Sequence, residues 1–86
     1  MSRFVYILKS VSKPDKIYIG SSGNLDNRLA DHNRGNTKST KYFIPWRIVY
    51  FEEYATKKEA NIREIQLKKW KNRNRIENLI SKSKRP

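Results

Sequence analysis

Residues 18–35 read Y-I-G-S-S-G-N-L-D-N-R-L-A-D-H-N-R-G, and the rest of the chain is organised around them. The pattern predicts the end of a strand, a turn and a short helix. Gly20 and Gly23 are expected to set the turn, because glycine accepts backbone angles closed to other residues. Asn24 suits the N-cap of the helix, and Gly35 suits the position just after its end.

The predicted helix has two distinct faces. Leu25 and Leu29 are four residues apart, so they share a face that can be buried. Arg28 and His32 have the same spacing and share a neighbouring face. Tyr18, at the end of the preceding strand, is therefore expected to face a guanidinium and an imidazole. This set of groups suits phosphate chemistry.

The length and charge of the chain limit what it can be. Its 86 residues predict one domain over residues 1–82, with a frayed basic tail at residues 83–86. The formal net charge is +12, from 20 Lys and Arg against 8 Asp and Glu. Solubility needs a net charge of only about 2–8. The excess predicts a polyanionic partner, and nucleic acid is the first candidate.

Several protein classes are excluded by what the sequence lacks. It contains no cysteine, which excludes disulfides and cysteine-based zinc sites. No apolar run approaches the roughly 18 residues of a membrane span. The apolar segment near the N-terminus is too short for a signal peptide. We therefore expect no membrane association and a cytoplasmic location.

The remaining periodicities predict an α+β fold. Residues 4–8 form an apolar run typical of a central strand buried on both faces. Residues 17–19 are expected to pair with it as a hairpin, with Tyr6 opposite Tyr18. The capping-box spacing from Thr56 starts a second helix. Further elements are a polar surface loop at 36–45, a strand at 46–54 and a third helix at 72–81. The predicted order is β-β-α-β-α-α, with a small three-stranded antiparallel sheet flanked by helices.

Glu64 has an unusual place in the second helix. At about 100° per residue, Ala60, Glu64, Leu67 and Lys71 fall on one helical face. The carboxylate therefore lies between apolar residues where the helix should meet the sheet. It needs a partner there, because burying an unpaired charge is costly. A neighbouring lysine or arginine and a divalent cation both remain open.

Five residues together could support phosphodiester hydrolysis. The reaction needs a group that activates water, a cation beside the phosphate and help for the leaving oxygen. Taken singly, each candidate is equally compatible with a core or solvated residue. The combination favours catalysis. The candidates are Tyr6, Tyr18, Arg28, His32 and Glu64.

The same residues carry a resemblance to a known family. V-Y-I at 5–7 and Y-I-G at 18–20 resemble the paired motifs of the GIY-YIG nucleases. Arg28 and His32 in L-D-N-R-L-A-D-H-N, and Glu64 in E-A-N-I-R-E-I-Q-L-K, match the other positions expected there. That family includes a nuclease subunit of nucleotide excision repair and small stand-alone bacterial proteins. The chain is most similar to the stand-alone group.

The resemblance covers residues 4–80 and implies the fold given above. It also implies DNA cleavage, with one Mg²⁺ or Mn²⁺ held by Glu64 and by water. In the same way it implies that Arg28 contacts the scissile phosphate and that Tyr6 orients it. Mg²⁺ and Mn²⁺ are hard cations that suit oxygen ligands, and Glu64 and water both supply oxygen.

Two details of the resemblance stay open. Val5 stands where the first motif has its first glycine; valine suits a strand, so the departure concerns the site and not the fold. Tyr18 and His32 are both implied as the general base. A free phenol has a pKa of about 10, whereas imidazole titrates at about 6.5. The sequence does not choose between them.

A separate set of cations could bind nucleic acid without catalysis. Their affinity would fall with salt, with a slope of about −0.9 per phosphate contact on duplex DNA. No base-reading motif is present, so specificity would come from DNA shape or from a partner protein that targets the chain. A non-catalytic nucleic-acid-binding module and a basic protein of an RNA–protein particle are the alternatives, and RNA therefore stays a candidate ligand. The cations are Lys38, Lys41, Lys68, Lys71 and Arg73.

Overall fold

The computed structural model describes residues 2–70 and 72–82, so the predicted tail at 83–86 lies outside the described residues. The strands are β1 (Arg3–Ser10), β2 (Ile17–Ser22) and β3 (Trp46–Tyr54), and the helices are α1 (Leu25–Asn33), α2 (Lys57–Lys69) and α3 (Arg73–Lys82), with a short 3₁₀ helix at Lys41–Phe43. This is the predicted α+β order, β-β-α-β-α-α. Within the described ranges, no helix is long and apolar enough to cross a bilayer.

The three strands form one antiparallel sheet with the order β2-β1-β3. β1 is the central strand, and its residues 5–8 are all buried. Because side chains alternate along a strand, Val5 and Ile7 point to one face and Tyr6 and Leu8 to the other. The prediction of a central strand buried on both faces is confirmed.

Two apolar clusters cover the two faces of the sheet. On one face, Ala60 and Leu67 of α2 and Ile76 of α3 pack with the Val5 side of β1. On the other face, Leu25 and Leu29 of α1 pack with the Tyr6 side, as their spacing predicted. The helices therefore form layers on both sides of the sheet, with α1 and α2 on opposite faces.

The register of the first hairpin differs from the prediction by two residues. Tyr6 pairs with Gly20, and Tyr18 pairs with Leu8. The connection is centred one residue later than expected, and the bond from Ser10 N to Lys16 O, at 3.0 Å, closes it. An offset of two residues preserves the face on which each side chain lies. Both tyrosines consequently stay on one face, with ring centroids 6.3 Å apart.

The expected role of the motif glycines is wrong. Gly20 lies within β2, and among the described residues only Gly35 has a positive φ, at 81°. Gly20 is needed for space: a Cβ there would lie 2.6 Å from the hydroxyl oxygen of Tyr6 and 2.8 Å from its Cζ. The Tyr6 ring therefore crosses the edge strand where β2 has no side chain.

Both predicted helix starts are confirmed by side-chain caps. The Asn24 side chain accepts a hydrogen bond from Asn27 N at 3.0 Å, and the Thr56 hydroxyl accepts one from Glu59 N at 3.2 Å. Such caps satisfy backbone donors that have no partner inside the helix. Gly35 follows the end of α1 with a left-handed backbone, as expected.

Candidate active site

Three aromatic rings meet at the β2 edge of the sheet, on the face covered by α1. Tyr6 comes from the central strand, Tyr18 from the edge strand and His32 from the last turn of α1. The Tyr18 and His32 ring centroids are 4.8 Å apart, and those of Tyr6 and His32 are 6.0 Å apart in an edge-to-face arrangement. The structure thus brings together three of the five residues predicted to be catalytic.

His32 is fully buried, with 0% of its surface exposed, and both ring nitrogens have partners. Nε2 lies 3.0 Å from the Tyr6 hydroxyl, and Nδ1 lies 2.8 Å from Oγ1 of Thr40. The Thr40 hydroxyl donates to the Thr37 carbonyl oxygen at 3.4 Å, so its oxygen accepts from Nδ1–H. We infer from this chain of bonds that Nε2 carries no proton and accepts the O–H of Tyr6.

Thr40 is a site residue that the sequence did not reveal. It is fully buried just before the 3₁₀ helix, and its carbonyl oxygen accepts the indole N–H of Trp46 at 2.8 Å. Asn33 makes a second link, because its side chain bonds both the N–H and the carbonyl of Trp46. The polar residues around Thr40 predict a surface loop, so no local signal separates it from its exposed neighbours.

Arg28 places a cation beside the two phenols. It lies one turn before His32 on α1, and its side chain is 35% exposed. Its interaction with Tyr6, and more weakly with Tyr18, raises the pKa of Arg28 although burial opposes the shift. Asp31 is a distant partner at 3.9 Å. The guanidinium therefore keeps solvent access and can meet an anion.

The electrostatics of the cluster hold both hydrogen-bonded groups neutral near pH 7. Burial raises the pKa of Tyr6, and the charge of Glu64 adds to this while Arg28 opposes it. Burial also lowers the pKa of His32; the charge of Arg28 adds to this, and Asp31 opposes it. A phenol facing a neutral imidazole agrees with Tyr6 as the donor.

Glu64 lies on α2, the helix that covers the opposite face of the sheet. Its side chain is 20% exposed, and Oε2 pairs with Nζ of Lys68, one turn later, at 2.7 Å. The sequence left a lysine, an arginine or a divalent cation open as the partner of Glu64, and the structure shows the carboxylate paired with a lysine. The charge of Glu64 still reaches the rings, because it contributes to the raised pKa of Tyr6. Lys71, predicted to share this helical face, lies outside the described residues.

The donor set around Glu64 fits one kind of metal ion. Residues 2–70 and 72–82 contain no group of three or more histidine, acidic or cysteine side chains that could hold an ion. Mg²⁺, however, is often bound through one or two carboxylates, with water and substrate phosphate filling its other positions. Lys68 is half-exposed, so its ammonium can move into water. The single carboxylate of Glu64 therefore fits a divalent ion whose other ligands are water and phosphate.

The predicted nucleic-acid-binding cations have different surroundings. Lys38 and Lys41 are exposed in the loop after α1, whereas Lys68 is paired with Glu64. Arg73 bonds Glu77 through Nε at 2.7 Å and donates to the Pro14 and Asp15 carbonyls. Those bonds attach α3 to the hairpin loop, so Arg73 has a structural role. Binding by each of these residues stays a prediction.

A partly buried charge network on β3 was not predicted from the sequence. Arg63 of α2 donates to both Glu52 oxygens, at 3.0 and 3.1 Å, and the Tyr54 and Tyr50 hydroxyls donate to the same carboxylate. These bonds outweigh burial and lower the pKa of Glu52, while burial and the bond to Glu52 raise the pKa of Tyr54 to about 12. Residues 50, 52 and 54 share one face of β3 because they are two residues apart, and this spacing was the sequence signal for the network. The network joins α2 to the sheet and satisfies its own charges.

The chain is similar to known proteins of one family. The GIY-YIG catalytic domain matches residues 2–78. A UPF0213 protein of Clostridium perfringens is 38% identical over 81 residues, covering 93% of this chain and 85% of its own length. A UPF0213 protein of Staphylococcus aureus is 41% identical over 68 residues, covering 78% and 80%.

A solved structure is similar over the whole chain. It is the solution structure of a UPF0213 protein from Bacillus halodurans, with a TM-score of 0.61 and 30% identity, covering 100% of this chain and 89% of that one. The matched domain implies a nuclease family that binds nucleic acid and is generally dependent on divalent metal. The chain belongs to the GIY-YIG family, among its small stand-alone members.

Proposed function

We propose that this chain is a metal-dependent DNA endonuclease in which water attacks the phosphodiester directly, without a covalent intermediate. The observation that carries the proposal is the convergence of Tyr6, Tyr18, Arg28 and His32 at one edge of the sheet. Membership of a nuclease family supports the same chemistry. The net charge of +12 supports a polyanionic substrate.

Arg28 is the proposed phosphate ligand. Its guanidinium is partly exposed and already lies beside two phenols, so a phosphate entering there would meet the N–H donors of Arg28. Bidentate guanidinium–phosphate contacts are strong and directional. They would also stabilise the negative charge that develops on the phosphorus oxygens during attack.

Tyr18 is the proposed base, and His32 is proposed to act through Tyr6. A buried imidazole with both nitrogens bonded has no position left for the reacting water. Tyr18 is partly exposed and lies beside that imidazole, which makes it the candidate to contact the reacting water. The phenol of Tyr6 donates its only proton to Nε2 of His32, so it would orient the phosphate through Arg28, whose guanidinium interacts with the same phenol.

Glu64 is the proposed holder of the metal ion, which when bound supplies positive charge at the leaving oxygen. To do so, the carboxylate must exchange its Lys68 partner for the ion. Lys68 loses little in that exchange, because its ammonium is already half in water. The ion pair holds the carboxylate in place in the absence of the ion.

The test is metal-dependent nicking by Glu64→Gln, with Glu59→Gln as the matched control. Glu59 lies on the same helix, is exposed, and glutamine preserves the capping box. We expect Glu64→Gln to lower nicking with Mg²⁺ or Mn²⁺ by about 100-fold or more, as for loss of a catalytic carboxylate. DNA binding in EDTA should be unchanged. No cleavage by the natural protein of branched, nicked, single-stranded or duplex DNA with either metal would reject catalysis.

A second function is favoured by the ion pair of Glu64 with Lys68 at 2.7 Å. If this pair persists whatever the metal concentration, the chain is a non-catalytic nucleic-acid-binding module on the same fold. It would bind with a steep salt dependence and no metal dependence. Comparing RNA and DNA of the same shape separates the two ligands, since only RNA offers a 2′-hydroxyl.

A further inference from the structure

Two loops join into one surface at the hairpin end of the sheet. The first is the connection between β1 and β2, residues 11–16, and the second is the segment around the 3₁₀ helix, residues 38–45. Val11 N donates to the Pro45 carbonyl at 2.8 Å, and the Ser10 hydroxyl donates to the Phe43 carbonyl at 2.7 Å. These bonds fix the two loops against each other.

This surface combines unpaired cations with an exposed tyrosine ring and a half-buried phenylalanine ring. Tyr42 is 77% exposed, with Nζ of Lys41 at 5.1 Å from its ring centroid. The lysines at 13 and 16 approach the Phe43 ring at 5.9 and 5.4 Å. None of these amines pairs with a carboxylate in the described part of the chain. We define the lysine–tyrosine surface as Lys13, Lys16, Lys38, Lys41, Tyr42 and Phe43.

The surface is held in place before any ligand arrives. Arg73 donates to the carbonyls of Pro14 and Asp15, at 3.1 and 2.5 Å, and so attaches the hairpin loop to α3. Thr40, two residues before Tyr42, is buried and bonded to His32. An exposed tyrosine on such a fixed base can bind with little ordering cost.

The hairpin loop of this surface lies next to the phenol cluster along β1 and β2. Lys16 lies two residues before Tyr18, which is about 7 Å along an extended chain. The bonded pair Ser10 and Lys16 lies four positions from the pair Tyr6 and Gly20, or about 13 Å. A DNA strand that crosses the phenol cluster along β2 would therefore place its flanking nucleotides on this surface.

We propose that the lysine–tyrosine surface binds an unpaired nucleotide next to the cleaved linkage, with its base stacked on Tyr42 and its phosphates on the lysines. Aromatic rings stack on any base whose face is free, whereas bases inside a duplex already stack on each other. The substrate is then DNA with a single-stranded segment, in preference to continuous duplex. This deepens the proposed function, because the cleaved linkage is the one assigned to Arg28 and Tyr18.

The test measures affinity in EDTA, so that no cleavage is involved. Fluorescence anisotropy compares a labelled 12-nucleotide oligo(dT) with a labelled 12-base-pair duplex. Tyr42→Ala should weaken oligo(dT) binding about tenfold, as expected for loss of one base–aromatic stack. It should change duplex binding less than twofold, and Tyr42→Phe should bind both as the natural protein does. Ile62→Ala removes another exposed apolar side chain, from α2, and should change neither.

The outcomes separate this inference from the nuclease assignment. Equal weakening on both probes, no weakening on oligo(dT), or no binding to either probe would overturn it. A selective loss on oligo(dT) supports it even if no DNA is ever cleaved, in which case only the proposed catalysis falls. The same oligonucleotide made of RNA tells whether the sugar matters; much tighter RNA binding would overturn the choice of DNA.

Discussion

The phenolic oxygen of Tyr6 lies 3.0 Å from Nε2 of His32, in the interior of the protein. Because Nδ1 of the same ring is bonded to Thr40, the imidazole has one orientation and one acceptor to offer. The hydroxyl proton of Tyr6 is thereby directed by a residue eight positions beyond the histidine. Two fully buried residues, His32 and Thr40, therefore set the orientation of the Tyr6 hydroxyl.

Replacing Thr40 with valine should disturb this order without changing side-chain volume. The variant removes the acceptor for Nδ1–H of His32, and an unpaired buried donor costs about 1–3 kcal/mol. Urea denaturation measures the loss, and Thr40→Ser should recover most of it. ¹⁵N NMR of the single histidine should show Nδ1 protonated and Nε2 bare in the natural protein. A proton found on Nε2 would reverse the direction of the Tyr6 bond.

Gly20→Ala should be far more harmful than Gly23→Ala. The added methyl at position 20 would lie 2.6 Å from the Tyr6 oxygen, so the ring must shift, whereas at position 23 it meets only the end of Arg3 at 3.4 Å. Overpacking of this kind costs about 1–3 kcal/mol, and the milder variant should stay within about 0.5 kcal/mol. Thermal unfolding compares the two, and equal effects would mean that Tyr6 does not depend on the gap.

Stability should fall as the pH drops from about 6.5, because of His32. Burial lowers its pKa in the folded protein, so the unfolded chain binds the proton first. This contribution is complete above the unfolded pKa and is lost as the pH falls towards the folded one. The sequence has one histidine, so urea midpoints between pH 5.5 and 7.5 isolate it. His32→Gln should show a flatter profile; an unchanged slope would argue against a buried neutral ring.

Glu52→Gln should destabilise the protein by about 1–3 kcal/mol, because it leaves the largely buried guanidinium of Arg63 without its counter-charge. Glu59→Gln is the control on an exposed carboxylate and should change the unfolding free energy by no more than about 0.5 kcal/mol. Chemical denaturation measures both. If the two variants lose the same stability, the network contributes nothing beyond surface charge.

The sequence predicted the fold well because its signals are local. Neighbouring residues set the apolar run at 4–8, the caps at Asn24 and Thr56 and the strand from 46. The hairpin register was wrong by two residues because loop geometry, and not composition, decides where pairing begins. Gly20 was misread for a similar reason: the clash that requires it comes from a side chain on another strand.

The sequence predicted candidate site residues but not the contacts between them. Order along the chain indicated Tyr6, Tyr18, Arg28 and His32, and the structure adds how they touch. Thr40 was missed because a threonine in a polar segment gives no sign of burial. The bond between Glu64 and its lysine was accessible from sequence, since four residues separate them on a helix.

The middle position of β1 has a consequence for synthesis on the ribosome. The hairpin of β1 and β2 can form early, but the other side of β1 has no neighbour until β3 has been made, about forty residues later. During that interval an apolar strand exposes unsatisfied backbone groups, which invite pairing between nascent copies. Slower translation of the stretch before β3 should therefore increase aggregation during expression.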